Sequence, residues 1–369
     1  MIRVFCLVLW LIASQNAVVA TEPDWSQIES IVQAGIEAGE MPGAIVVIAS
    51  RNEVLYRKAF GFRQIEPTRE RMTVDTVFDM ASITKPVATA TSVMILVQRG
   101  LVDVDKPVSQ YLPEFGAAGK SKITVADLLL HVGGLIPDNA LKDYQDGIER
   151  SWQNIWALKP RSVRREKFVY TDVGFLVLGK LVERVSGQSL DVFADENIFQ
   201  PLKMTDSSYR PSAELVPRIA PTEKRNDKWI RGEVHDPRAF LLDGVAGHAG
   251  LFSTADDMVR YGQMMLGRGS LGSVEILKPE IFEVMTRPRA IPRGTRTFGW
   301  DHQSPYSRNR GTSFSDAAFG HGGFTGTVFW VDPKQDRVFI FLSNRLHPDG
   351  RGTVNGLAGQ IATLIGQER

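Results

Sequence analysis

The strand signals of this chain sit at its two ends, and that separation restricts the fold more than any other feature. Gly43 to Ala49 (GAIVVIA) and Val54 to Phe60 read as two strands joined by the turn Ser50-Arg51-Asn52-Glu53. Far downstream, Thr327 to Val331 and Val338 to Ser343 form a second pair around Asp332-Pro333-Lys334-Gln335-Asp336, with a helix expected over about Thr353–Ile365. The stretch between has mostly helical periodicity: Ser82–Arg99, Thr124–Leu130, Val173–Ser186, Leu190–Ile198 and Asp256–Leu266. This order predicts an α+β fold: one antiparallel sheet built from both chain ends, flanked by helices, with a mainly helical region inserted. The sheet part is expected over about 25–81 and 255–369, the helical part over about 82–254. Thr286–Thr297, rich in Pro, Gly and Arg, reads as an exposed, solvated loop.

Composition narrows the function classes. With 43% hydrophobic and 23% charged residues in 369, the chain is neither disordered nor collagen-like nor a multi-span membrane protein. Lys plus Arg number 43 against 42 Asp plus Glu, so no basic field exists for nucleic acid. Residues 1–20 have the pattern of a secretory signal: Arg3, the apolar run Val4–Ala13, then Ala17-Val18-Val19-Ala20, with cleavage expected after Ala20. The competing reading is a retained anchor, for which the run is short. The sole cysteine, Cys6, lies in this segment. The mature chain is therefore expected to be an exported (periplasmic or secreted) thiol-free globule without a stable membrane span, which excludes a disulfide framework, a thiolate nucleophile and a Cys-ligated zinc.

Three short segments could carry chemistry. Ser82 and Lys85, three apart at the start of a predicted helix, share one face, where unpaired N–H groups and the helix dipole favour developing negative charge. A lysine amine can take a serine proton if its surroundings lower its pKa; an N-capping serine followed by a surface lysine is the plainer alternative. Tyr170-Thr171-Asp172 precedes the Val173–Ser186 helix, where Asp172 could equally be its N-cap. Gly320-His321-Gly322-Gly323-Phe324-Thr325-Gly326 is expected to lead into a strand, its glycines letting a substrate lie against a strand edge. His248, amid glycines, either lines a pocket or is bonded to backbone; His131 reads as structural. His235, His302 and His347 lack zinc spacing, so neither a metal nor a cofactor is expected. Gly267-Arg268-Gly269-Ser270-Leu271-Gly272 follows a helix, the wrong context for a dinucleotide loop, and no G-x-S-x-G occurs.

Together, in this order, the segments resemble the penicillin-recognising serine hydrolases: class C β-lactamases, DD-peptidases and related esterases. Ser82 and Lys85 match S-x-x-K, Tyr170-Thr171-Asp172 approximates Y-x-N, and His321-Gly322-Gly323 matches H-x-G. Leu129–Leu135, Ile198–Met204, Gly247–Thr254 and Leu342-Ser343-Asn344-Arg345 extend the resemblance from about Ile28 to Ile365. The resemblance implies acyl transfer through an acyl-enzyme on Ser82, an oxyanion held by the N–H groups of Ser82 and Phe324, and proton traffic shared by Lys85 and Tyr170. It also implies that His321 contacts substrate or relays a proton and that Asn344 touches a substrate carboxylate.

One residue departs from the pattern. Asp172 stands where the family usually has Asn, and a carboxylate near Lys85 raises the lysine pKa. Either Lys85 stays cationic and Tyr170 takes the serine proton as a phenolate, or Asp172 is itself protonated in a dry pocket. The expected function is an exported D,D-carboxypeptidase or D-specific peptidase acting on cell-wall peptides. The alternatives are a carboxylesterase, a weak class C-type β-lactamase, and a non-hydrolysing penicillin or peptidoglycan sensor.

Overall fold

The computed structural model describes residues 25–367, so the expected signal segment 1–20 and Cys6 lie outside the described residues. Nine strands form one sheet in the order Arg289–Ile291, Gly294–Arg296, Asp301–Gln303, Phe319–Gly323, Thr327–Asp332, Arg337–Ser343, Gly43–Ala49, Val54–Gln64, Glu70–Arg71. Every pair in it is antiparallel, and the two chain ends meet where Ala44–Ala49 pairs with Val338–Ser343. This is the α+β architecture expected from the strand positions.

Strand periodicity explains the layers. All seven residues of Gly43–Ala49 are buried, and alternate side chains serve different cores. Ala44, Val46 and Ile48 pack with Ile28 and Val32 of the helix Ser26–Glu37 and with Ala358, Ile361 and Ile365 of the helix Asn355–Gln367. Ile45, Val47 and Ala49 face the other way, toward Met258, Tyr261 and Met265 of the helix Ala255–Leu266 and the inserted helical region. Each such aliphatic side chain contributes roughly 1.5–3 kcal/mol on full burial. That helix sits close because Gly262 faces Val338, whose Cγ1 would lie 2.6 Å from an added Cβ.

Two expectations need correction. Thr286–Thr297 is not a solvated loop: Arg289–Ile291 and Gly294–Arg296 make a hairpin at the sheet edge through Pro292-Arg293, and Arg296 is buried. Prolines are tolerated in edge strands, and Arg293 takes the positive φ of the turn (+70°). The Gly320–Gly326 segment leads straight into the strand Thr327–Asp332, as expected, and its first residues, Gly320–Gly323, themselves belong to the preceding strand Phe319–Gly323. The predicted Ser82–Arg99 helix winds in three ways: a 3-10 turn over Ala81–Ile83, a π-helical segment over Lys85–Ala90, and an α-helix over Thr91–Gln98. Pro86 has no N–H to donate back along the helix, and π segments recur at functional sites. The helices Ser26–Glu37, Ile148–Ala157 and Pro279–Thr286 were not apparent from periodicity.

Candidate active site

The turn bearing Ser82 is braced from several elements. Ala81 is held at φ +45°, a conformation unfavourable for a residue with a Cβ and typical of functional turns. Buried Asp79 secures it, accepting from the N–H groups of Ala81 (2.8 Å) and His235 (2.7 Å). Thr325 Oγ1 donates to the Asp79 carbonyl (2.7 Å) and Thr327 Oγ1 to that of Met80 (3.2 Å), tying the turn to the end of the His321 strand. Gly323 makes this approach possible: an added Cβ would lie 2.6 Å from the Met80 carbonyl oxygen. Ile83 and Ala81 are buried, whereas Ser82 is partly open to the cleft.

Lys85 is 0% exposed; its ammonium donates two hydrogen bonds and forms an ion pair with Asp172 that lacks an aligned hydrogen bond. Nζ lies 2.9 Å from Ser82 Oγ, 3.0 Å from the His248 carbonyl and 2.6 Å from Asp172 Oδ1. Burial pushes the ammonium pKa down, but Asp172 and Tyr170 push it up, and the balance lies above the ordinary lysine value. Asp172 is free to do this because Thr171, not Asp172, caps the helix Asp172–Ser186, its Oγ1 accepting from Gly174 N at 3.3 Å. The His248 carbonyl is delivered by a loop lying directly on that helix, where a Cβ at Gly247 would fall onto the Phe175 carbonyl.

Tyr170 stacks on His131 with ring centroids 4.4 Å apart, and its ring centroid is 4.9 Å from Lys85 Nζ. Its hydroxyl faces Lys85 and Ser82 without a well-aligned hydrogen bond to either. Burial raises the phenol pKa, Lys85 lowers it and Asp172 raises it; the net direction is up. His131 is buried and accepts from Thr171 N at Nδ1 (3.1 Å), so it is structural and also forms the wall behind Tyr170. His321 Nδ1 lies 2.7 Å from the Gly322 carbonyl, which places its proton there and leaves Nε2 as an acceptor. Burial, then the cations Arg296 and Lys85, hold His321 well below the usual histidine range.

These groups open onto a cavity of about 350 Å³ lined by Ser82, Tyr170, His321, Gly323, Phe324, Arg296 and Arg345, among others. Phe324, 61% exposed, lies between the His235 ring (5.4 Å, 12°) and the Arg345 guanidinium (4.5 Å). Asn344 is not brought to the cavity: it is buried and its Nδ2 donates to the Arg63 carbonyl at 2.5 Å. His248 contributes its carbonyl, while its Nε2 pairs with Asp236 Oδ1 at 3.0 Å. Asp172, Asp236 and His248 offer ligand atoms within 4.8 Å of one another, but the cation this group already faces is Lys85 Nζ, 2.6 Å from Asp172. Sequence reasoning missed Arg296, Tyr306 and the structural use of Asp79. Only Arg296 left a trace, as one arginine in a segment read as loop.

Similarity to known proteins agrees with this arrangement. The family model described as Beta-lactamase matches residues 28–363. The chain is 32% identical over 358 residues to the N-acetylmuramyl-L-alanine amidase of Bacillus subtilis (strain 168), covering 87% of this chain and 81% of that one. It is 29% identical over 363 residues to a protein of Escherichia coli (strain K12) whose name, D-alanyl-D-alanine carboxypeptidase, is provisional, covering 87% and 82%. A penicillin-binding protein homologue from Caulobacter crescentus shares the fold at a TM-score of 0.75 and 21% identity, over 94% of this chain and 99% of that one. The chain belongs to the beta-lactamase family of penicillin-recognising serine hydrolases, and it is an enzyme of that family.

Proposed function

We propose that the enzyme is exported and cleaves amide bonds in cell-wall peptides through an acyl-enzyme on Ser82, acting as a D,D-carboxypeptidase or D-specific peptidase. The observation that carries this reading is the placement of the Tyr170 hydroxyl at the cavity wall, facing Ser82 and Lys85. An amide nitrogen must be protonated to leave, and a phenol that keeps its proton at neutral pH is the acid for that step. An ester needs this help less.

The proton path follows the observed line Ser82 Oγ, Lys85 Nζ, Asp172 Oδ1, with separations of 2.9 and 2.6 Å. As Ser82 attacks the carbonyl carbon, its proton passes to Lys85 while Lys85 passes one to Asp172, so the lysine stays cationic. The C–N bond then breaks as Tyr170 protonates the departing amine, and the proton on Asp172 returns through Lys85 to the phenolate. Water attacks the acyl-enzyme along the same path in reverse and restores the serine. The N–H groups of Ser82 and Phe324 hold the oxyanion in this reading; one such donor is commonly worth ~10²–10³ in rate.

A second reading, cleavage between a muramyl lactyl group and L-alanine, is favoured by the 32% identity to the Bacillus subtilis amidase. The two are separated by incubating the protein with a fluorophosphonate, a labelled penicillin, a nitrophenyl ester, an acyl-D-Ala-D-Ala peptide and N-acetylmuramyl-L-alanine. Release of D-alanine supports the first reading and release of L-alanine the second. Turnover of the ester alone would refute both, and Ser82→Ala should abolish labelling and turnover together.

A further inference from the structure

His131 stands at a backbone position that favours glycine. The helix Val125–Leu129 closes with two bonds, His131 N to the Leu128 carbonyl (3.1 Å) and Val132 N to the Asp127 carbonyl (2.8 Å). This is the Schellman pattern, whose closing residue adopts the left-handed conformation and is usually glycine. Here it is a fully buried histidine at φ +59°. A residue with a Cβ held in that region points to a use for its side chain.

The use is visible in the neighbouring segment. Val169 N donates to the His131 carbonyl (3.1 Å) and Thr171 N donates to His131 Nδ1 (3.1 Å). The two bonds bracket Tyr170, and the imidazole is the floor on which its ring stacks, at 4.4 Å and 29°. Phe175 packs against the imidazole in turn, at 5.0 Å. The lacing continues through Thr171 Oγ1, which donates to the Ile136 carbonyl (2.6 Å), and Asp172 N, which donates to the Pro137 carbonyl (2.8 Å).

The imidazole carries no proton to Tyr170. Nδ1 is committed as an acceptor, so the ring proton is on Nε2, which is buried without a partner among the described residues. The Tyr170 hydroxyl bonds to neither nitrogen. Accepting at Nδ1 requires the neutral ring, because a second proton would set two donors against each other. Burial, then the cations Arg296 and Lys85 and the neighbouring His321, hold His131 well below the usual histidine range.

We propose that His131 is a positioning residue: its Nδ1 acceptor and its left-handed backbone bracket Tyr170 and hold the phenol at Ser82, beyond what packing of the ring supplies. It rests on the amide-cleaving reading in one respect, that Tyr170 protonates the departing amine. Placement of the phenol then matters most for poor leaving groups, and a misplacement of 1 Å can cost ~10² in rate.

Three variants separate the acceptor from the ring. His131→Asn suits a positive φ and can set its amide oxygen near the place of Nδ1, but it removes the ring. His131→Phe keeps a ring beneath Tyr170 and cannot accept; His131→Ala lacks both. Turnover is compared on the nitrophenyl ester and on whichever of the acyl-D-Ala-D-Ala peptide and N-acetylmuramyl-L-alanine the wild type cleaves, with active protein counted by fluorophosphonate labelling. His131→Phe and His131→Ala should lose about 10²-fold in kcat on the amide and under about fivefold on the ester, whose nitrophenolate departs unprotonated, with KM little changed. His131→Asn should come within about tenfold of the wild type on the amide. Pure packing predicts the reverse order, so His131→Phe outperforming His131→Asn, or amide and ester falling together, would overturn the assignment. If His131→Phe does not fold, His131→Gln, whose amide sits one methylene further out, takes its place. NMR of protein carrying ¹³Cζ-tyrosine decides without turnover. The Tyr170 line, identified by its loss in Tyr170→Phe, should be single in the wild type and in His131→Asn and broadened or split in His131→Phe; an unchanged line there would also overturn the assignment. That NMR pattern in a protein that cleaves no amide would refute the proposed reaction and leave the positioning role standing.

Discussion

Replacing Asp172 by Asn keeps the shape of the site and removes the negative partner of a fully buried ammonium. At 2.6 Å and an effective dielectric near 20, the direct attraction is about 6 kcal/mol. Desolvation offsets much of it, and breaking a buried pair costs ~3–5 kcal/mol. Asp172 is 21% exposed, and Ser82 Oγ and the His248 carbonyl remain as acceptors, so the lower end, about 3 kcal/mol, is expected. The pH dependence supplies the sign. In the wild type the folded Lys85 value is raised, so the pair's stabilisation is complete below the unfolded value of about 10.4 and is lost as pH rises through the folded value. In Asp172→Asn burial dominates and the folded value drops below the unfolded one. The variant is then destabilised by about 1.4 kcal/mol per unit of depression at low pH and recovers as pH approaches about 10. Urea unfolding at a series of pH values from 6 to 10 should show a gap between the two proteins that is widest at pH 6 and narrows upward. The variant's pH–rate profile should gain a rising limb at the depressed lysine value, because a neutral amine can now take the serine proton directly. A gap independent of pH, or below about 1 kcal/mol at pH 6, with unmoved limbs, would refute the claim that Asp172 tunes the site.

Gly323→Ala should press a methyl group onto the Met80 carbonyl, 2.6 Å from the ideal Cβ position, and move the strand edge off the Ser82 turn. We expect kcat/KM to fall by about 10²-fold and stability by ~1–3 kcal/mol, read from ester or peptide turnover and thermal melting. Away from the cavity, burial raises the Asp257 carboxyl to about 6, opposed by hydrogen bonds from Ser207 Oγ and Asp206 N. A carboxyl raised on folding makes stability fall as pH climbs from about 4 to about 6, by roughly 3 kcal/mol in all. Asp257→Asn should flatten that fall in urea melts across the same range, and a variant with the wild-type slope would contradict it.

Much of the fold was legible because periodicity reports burial. A strand such as Gly43–Ala49, covered on both faces, is an unbroken apolar run, and its partner Arg337–Ser343 has the same signature. Where strands are short, at an edge and rich in Pro and Arg, as in Arg289–Ile291 and Gly294–Arg296, composition favours a loop and only pairing shows otherwise. Winding was hidden too: no periodicity distinguishes the π-helical segment at Lys85–Ala90 from the α-helix that follows.

At the cavity the same division holds, and it follows from how each group is positioned. Ser82 and Lys85 are local, three residues apart on one turn, so their meeting at 2.9 Å follows from spacing alone. Asp172 approaches Lys85 from another helix, and its odd identity was visible although the 2.6 Å contact was not. Arg296 is the extreme case, since its burial depends on one register shift in an edge hairpin and on Asp301 five residues later. A substitution that removed that shift would leave the sequence motifs intact and return Arg296 to solvent. The nucleophile and the lysine beside it are thus fixed by local geometry, whereas the Arg296 side of the cavity wall depends on long-range strand pairing. Variants of the edge hairpin should therefore reshape the cavity wall, read as a raised KM, before they change whether Ser82 can be acylated.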